Sequence, residues 1–116
     1  MLKNVDLSRY TFKNTKGYDF SFFLDANRSV NATAYCPNSG IKMEVMTDRP
    51  IVHLYDAHDL DGTVVGKNNI AYKSMCAFCY ETQNVPNGVN QDLFLNTILK
   101  PGQLFTSSVQ YKFSTQ

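Results

Sequence analysis

The sequence has no apolar run near the ~20 residues needed to cross a bilayer, and its opening, Met1-Leu2-Lys3-Asn4-Val5-Asp6, lacks a signal-peptide core. It is therefore read as a soluble, cytoplasmic protein. An excess of charge of one sign is missing too. Eleven Lys and Arg against ten Asp and Glu give a formal net charge of +1, with no basic stripe for a phosphate backbone and no patch for an anionic membrane. Nucleic acid and membrane are excluded as expected partners. Cysteine is scarce and odd in number: Cys36, Cys76 and Cys79 do not make a disulfide framework, and reduced thiols are expected. The sequons Asn27-Arg28-Ser29 and Asn31-Ala32-Thr33 matter only in a secreted protein and are read as chance.

What is present is apolar and aromatic. With 43% hydrophobic residues, seven Tyr and eight Phe in 116 residues, the chain is expected to fold as a single domain, 1–116, with a polar lead-in over 1–16. The recurring pattern has period two, the signature of strands. Val30, Ala32, Ala34 and Cys36 alternate with polar residues, Pro37-Asn38-Ser39-Gly40 supplies turn chemistry, and Ile41, Met43 and Val45 resume the alternation. That predicts a hairpin. Further strands are expected over Ile51–Tyr55, Met75–Gln83 and Phe105–Phe113, with a loop from Val85 to Asn90 and a short helix within Gln91–Leu99 ended by Pro101-Gly102. Short strands punctuated by Gly, Pro and Asn argue an all-β, antiparallel β-sandwich. Open sheet edges would need covering by more protein.

Three groups invite chemistry. Cys76-Ala77-Phe78-Cys79 has the spacing of a zinc or redox pair, but on a strand those thiols point to opposite faces and no second Cys or His pair accompanies them. Both are expected to be buried packing residues. His53 shares a strand face with Ile51 and Tyr55 and is a candidate for substrate contact, whereas His58, in Asp56-Ala57-His58-Asp59, is read as a solvated loop residue. Glu81-Thr82-Gln83 ends an apolar, aromatic strand; an apolar surround disfavours a charged carboxylate, which suits Glu81 to act as a general base.

Ordered pieces of the sequence reach further than any of these alone. Gly17-Tyr18-Asp19, Ser39-Gly40, Glu44-Val45-Met46-Thr47, Arg49-Pro50, Tyr55, Leu60-Asp61-Gly62-Thr63, Gly66-Lys67, Glu81-Thr82-Gln83-Asn84-Val85-Pro86, Val89-Asn90, Phe94, Leu99-Lys100-Pro101-Gly102 and Tyr111-Lys112-Phe113-Ser114 occur in that sequence. In this order they resemble the C-terminal part of the aldose 1-epimerase (galactose mutarotase) family over nearly the whole chain. The resemblance implies the C-terminal portion of a galactose mutarotase-like supersandwich, with Glu81 as the catalytic base and Asp19 hydrogen-bonding sugar hydroxyls. It implies a hexose such as galactose or glucose as substrate, with no cofactor and no metal. Two departures stand out. His53 replaces the family's usual sugar-contacting glutamine, and the Tyr-Thr-Gly-Asn segment reads Tyr55-Asp56-Ala57-His58. By the same resemblance the acid histidine, an arginine and a second histidine belong to a preceding N-terminal part. His53 and His58 do not match their positions. The expected partners are thus a monosaccharide and either a complementary N-terminal part or a second copy. The rival readings are a non-catalytic carbohydrate-binding β-sandwich remnant and a module used only for interaction.

Overall fold

Gly40 stands at φ +69° in the turn after Cys36, where its N–H donates to the Cys36 carbonyl at 2.9 Å and the Ser39 hydroxyl accepts the Ile41 N–H at 3.3 Å. Left-handed backbone suits glycine. The expected hairpin closes here: strand β2 (Ala32–Cys36) pairs antiparallel with β3 (Ile41–Thr47), placing Ala34 opposite Met43. The computed structural model describes residues 16–91 and 97–116. The polar lead-in, but for Lys16, and most of the helix expected within Gln91–Leu99 lie outside the described residues.

The remaining strands are β1 (Asp19–Phe23), β4 (Ile51–Tyr55), β5 (Asp61–Val65), β6 (Ala71–Lys73), β7 (Cys79–Gln83) and β8 (Val109–Thr115). They form three sheets, ordered β1-β4-β7, β2-β3-β8 and β5-β6. The only helical turns among the described residues are two 3-10 turns, Lys67–Asn69 and Gly88–Asn90. The second falls in the expected loop. By Cα proximity the described chain divides into two compact units, one holding residues up to Phe20 with His53–Tyr80, the other Ser21–Val52 with Glu81–Gln116.

In the second unit β3 is the central strand, and period two puts Met43 and Val45 on one face with their partners Phe113 and Tyr111 of β8. Val45 is fully buried there, and Ile51 and Val52 complete that unit's buried apolar set. Leu54 and Ala57 are the buried apolar residues of the first unit. Its β5-β6 hairpin carries the Leu60-Asp61-Gly62-Thr63 and Gly66-Lys67 pieces. Asp61 accepts the Thr63 N–H at 2.9 Å and its hydroxyl at 2.6 Å, fixing the strand's start.

Four expectations need correction. The strand expected from Met75 begins only at Cys79, because Met75 takes φ +60° in the turn after β6, where its N–H donates to the Ala57 carbonyl. Cys76 and Cys79 are exposed, the first in that turn and the second opening β7, which ends its sheet's strand order. The strand expected from Phe105 begins at Val109. Residues 105–108 are held instead by the Asp48-Arg49 corner: Arg49 donates to the Thr106 carbonyl at 2.9 Å and lies over the Phe105 ring, while Asp48 accepts the Ser108 N–H at 3.0 Å. His58 sits in a loop but is only 10% exposed, because Asp56 folds over to bond it.

Candidate functional site

The candidate site residues singled out in the sequence fall on short strands. In the first unit, Asp19 opens β1 and His53 is the middle residue of β4, and the two strands are neighbours in their sheet. His53 Nε2 lies 2.6 Å from Asp19 Oδ1. An ionised carboxylate only accepts, so Nε2 is the donor in this hydrogen bond. Asp19 is 58% exposed and His53 19%. Two candidate sugar-contacting groups, identified on separate grounds, thus form one polar pair open to solvent on the Asp19 side. A carboxylate backed by an imidazole can accept from one sugar hydroxyl while holding its own geometry.

Next to this pair is a feature that sequence reasoning read as solvated loop. Asp56 Oδ2 accepts the Tyr18 N–H at 2.8 Å, and Asp56 Oδ1 accepts His58 Nδ1 at 2.8 Å and the His58 N–H at 3.2 Å. Burial pushes the Asp56 carboxyl up, but the hydrogen bonds from Tyr18 and His58 outweigh it and hold the group below the usual carboxylate range. His58 Nε2 faces Asp59 at 3.4 Å, and its ring packs against Tyr55 at 5.5 Å. The signal in the sequence was slight. Only Gly17, two residues before Asp19, marked it: a Cβ there would lie 2.5 Å from Asp56 Oδ1 and 2.6 Å from the His58 Cβ, so only glycine lets the two segments meet.

Glu81 is the third residue of β7 and belongs to the second unit. It is exposed. Thr82 and Gln83 after it are half-buried. The loop that follows turns at Asn87, φ +55°, with Gly88 buried so closely against Thr97 that a Cβ would sit 2.7 Å from its methyl. A groove of about 560 Å³ in the same unit is lined by Arg49, Asn84, Lys100 and Phe105 among others.

Among the described residues no three His, Cys, Asp or Glu side chains are grouped to hold a metal ion, and no helix is long and apolar enough to cross a membrane. The Ser39 hydroxyl holds the Cys36 thiol below its ordinary range.

The aldose 1-epimerase family model matches residues 3–112. Galactose mutarotase of Homo sapiens is 38% identical over 115 residues, covering 97% of this chain and 34% of its own length; that of Rattus norvegicus is 37% identical with the same coverage. An uncharacterized isomerase of Saccharomyces cerevisiae is 31% identical over 115 residues. A crystal structure of an aldose epimerase homologue from C. elegans superposes with a TM-score of 0.78 at 28% identity, covering 85% of this chain and 30% of that one. The fold is accordingly the all-β antiparallel sandwich class, and the chain spans about a third of the length of the curated relatives it matches.

Proposed function

The chain belongs to the aldose 1-epimerase family, and from that premise we propose that it supplies the C-terminal part of a mutarotase active site for a hexose such as galactose or glucose. Glu81 is the general base and takes the proton from the C1 hydroxyl. An acid, a histidine of the complementary N-terminal part, protonates the ring oxygen as the C1–O5 bond breaks. Rotation about C1–C2 and closure on the other face give the opposite anomer, with both protons returned. Asp19 and His53 hold sugar hydroxyls meanwhile. The observation that carries this reading is the Asp19–His53 pair, 2.6 Å apart and open to solvent on the carboxylate side.

The acid contributes typically about 10²–10⁴-fold to such a step, so the 116-residue chain alone is expected to leave mutarotation near the buffer rate. Polarimetry on freshly dissolved α-galactose or α-glucose tests this. Adding a separately expressed N-terminal part of a family member should accelerate anomer exchange. No acceleration from a complex shown to form would overturn the reading.

A second reading is a non-catalytic carbohydrate-binding remnant, favoured by the exposed polar pair in a chain that spans only 34% of a relative's length. Saturable hexose binding by calorimetry, with no anomer exchange even in the assembled complex, would select it.

A further inference from the structure

Asp19 is mostly exposed and opens its strand, so packing does little to fix its direction. What fixes it is the residue before it. Tyr18 is tied twice to one residue: its N–H donates to Asp56 Oδ2 at 2.8 Å, and its carbonyl accepts the Asp56 N–H at 3.2 Å. Asp56 follows directly on β4, the strand that bears His53. A single residue, through its side chain and its backbone N–H, thus ties the start of β1 to the end of β4, the two places from which the Asp19–His53 pair is built.

The tie is itself fixed. Three donors converge on the Asp56 carboxylate, two of them from His58, and an ionised carboxylate has the lone pairs to accept all three. The Asp56 and His58 side chains are 17% and 10% exposed, far less than Asp19. Ala57 between them is buried at φ +59°, and its carbonyl accepts from Leu60 and Met75, while the His58 carbonyl accepts the Ser74 hydroxyl at 3.0 Å. The loop is anchored by the turn after β6. This is the arrangement that preorganises a binding group: a polar pair facing solvent, held by a better-buried hydrogen-bonded shell behind it.

We propose that Asp56 is a positioning residue for the Asp19–His53 pair and that His58 orients the Asp56 carboxylate for that purpose. Its bearing on sugar binding rests on the function proposed above; its bearing on the pair does not. In this chain the segment that departs from the family's usual residues, Asp56-Ala57-His58, therefore acts together with His53, which departs as well.

The test uses the intact chain and two readouts. The first is the NMR signals of the His53 imidazole, which report the 2.6 Å contact without any sugar. Asp19→Ala gives the reference for a lost pair. Asp56→Ala is expected to move the His53 signals most of the way to that reference, and Asp56→Asn, which keeps an acceptor for Tyr18, only part of the way. Should Asp56→Ala fail to fold, His58→Ala removes a single donor from the carboxylate and is expected to shift the same signals in the same direction. Unchanged His53 signals in a folded Asp56 or His58 variant would overturn the proposal.

The second readout is hexose affinity by calorimetry in a double-mutant cycle. Asp56→Ala is expected to weaken binding about tenfold in the wild-type background and not at all in the Asp19→Ala background, as for residues acting through one another. Equal losses in both backgrounds would mean that Asp56 supports the fold generally, and would overturn the proposal. If the wild-type chain binds no hexose, the sugar-binding reading of this chain fails, and the His53 signals still decide whether Asp56 positions the pair.

Discussion

His53 Nε2 and Asp19 Oδ1 lie 2.6 Å apart, across neighbouring strands of one sheet. Both residues were candidates from the sequence, but nothing in the sequence required that they touch. Their contact joins two separately identified candidates into one unit, in which removing either group changes the other.

The first prediction concerns that unit. Because Asp19 is 58% exposed, solvent screens the pair, and such pairs contribute about 0–1 kcal/mol to stability. Asp19→Asn is therefore expected to leave the thermal unfolding curve nearly unmoved while weakening hexose binding, measured by calorimetry, about tenfold, as expected for a charge-assisted hydrogen bond replaced by a neutral one. A large loss of stability with unchanged affinity would show a structural role instead.

Acid should unfold the chain through identifiable carboxylates. Arg49 holds Asp48 low, the Thr63 hydroxyl holds Asp61 low, and Lys42 holds Glu44 low. Asp56 is held low by Tyr18 and His58 against its burial. A carboxyl whose folded-state pKa is depressed contributes stability that is fully present above its unfolded value of about 4 and is lost as pH falls through the folded value. Urea midpoints should therefore decline below about pH 4. Asp56→Asn should make that decline shallower, since one fewer proton is taken up on unfolding.

The strands that the sequence announced are those whose alternation faces a core. β2, β3 and β4 are legible directly, because Ala32 and Ala34, Met43 and Val45, and Ile51, His53 and Tyr55 each fall on a period of two. β1, β5 and β6 were not. In Asp19–Phe23 the alternation of Phe20 and Phe22 is cut short by Phe23 on the other face, and Ala71–Lys73 is only three residues long, so neither carries a sustained periodic signal. Two strands were drawn too long for the opposite reason: apolar residues continued past the ladder into a turn at Met75 and onto the Arg49 corner at Phe105. At the site, the resemblance singled out Asp19, but the tie behind it was hidden, since Asp56 and Tyr18 are 38 residues apart and hydrogen bonds at that distance leave no local pattern.

The Arg49 corner should be costly to remove. Its guanidinium bonds Asp48 at 2.8 Å and the Thr106 carbonyl at 2.9 Å and covers the Phe105 ring, combining a fork of donors with a flat cation. Arg49→Ala is expected to lower stability by about 1–3 kcal/mol in urea denaturation and to speed amide exchange at Thr106 and Ser108. Arg49→Lys should recover only part, because an ammonium keeps the charge without the planar fork. Full recovery by lysine would mean that charge alone matters.

Gly40 offers a sharper test of the hairpin. At φ +69° a Cβ would also lie 2.7 Å from the Gln116 carbonyl oxygen, which is backbone. Gly40→Ala should destabilise by more than the ~1 kcal/mol typical of left-handed backbone alone, with the loss read by urea denaturation. Asn38→Gly, elsewhere in the same turn, serves as the control and is expected to change little.

The base assignment is the prediction on which the proposed function turns. Glu81 is exposed on β7 in the described chain, so its carboxylate is accessible to a substrate proton, and its replacement should disturb chemistry more than folding. In a complex that accelerates mutarotation, Glu81→Gln keeps the shape and removes the basic oxygen. It is expected to lower kcat by about 10²–10⁴-fold with unfolding nearly unchanged. Glu81→Asp keeps the carboxylate but withdraws it by one methylene, and misplacement of about 1 Å can itself cost about 10²-fold. The order wild type, Asp, Gln in kcat, with KM much less affected, is what a base predicts. A residue that only binds sugar would instead raise KM and leave kcat largely intact, and that pattern by polarimetry would remove Glu81 from the chemistry.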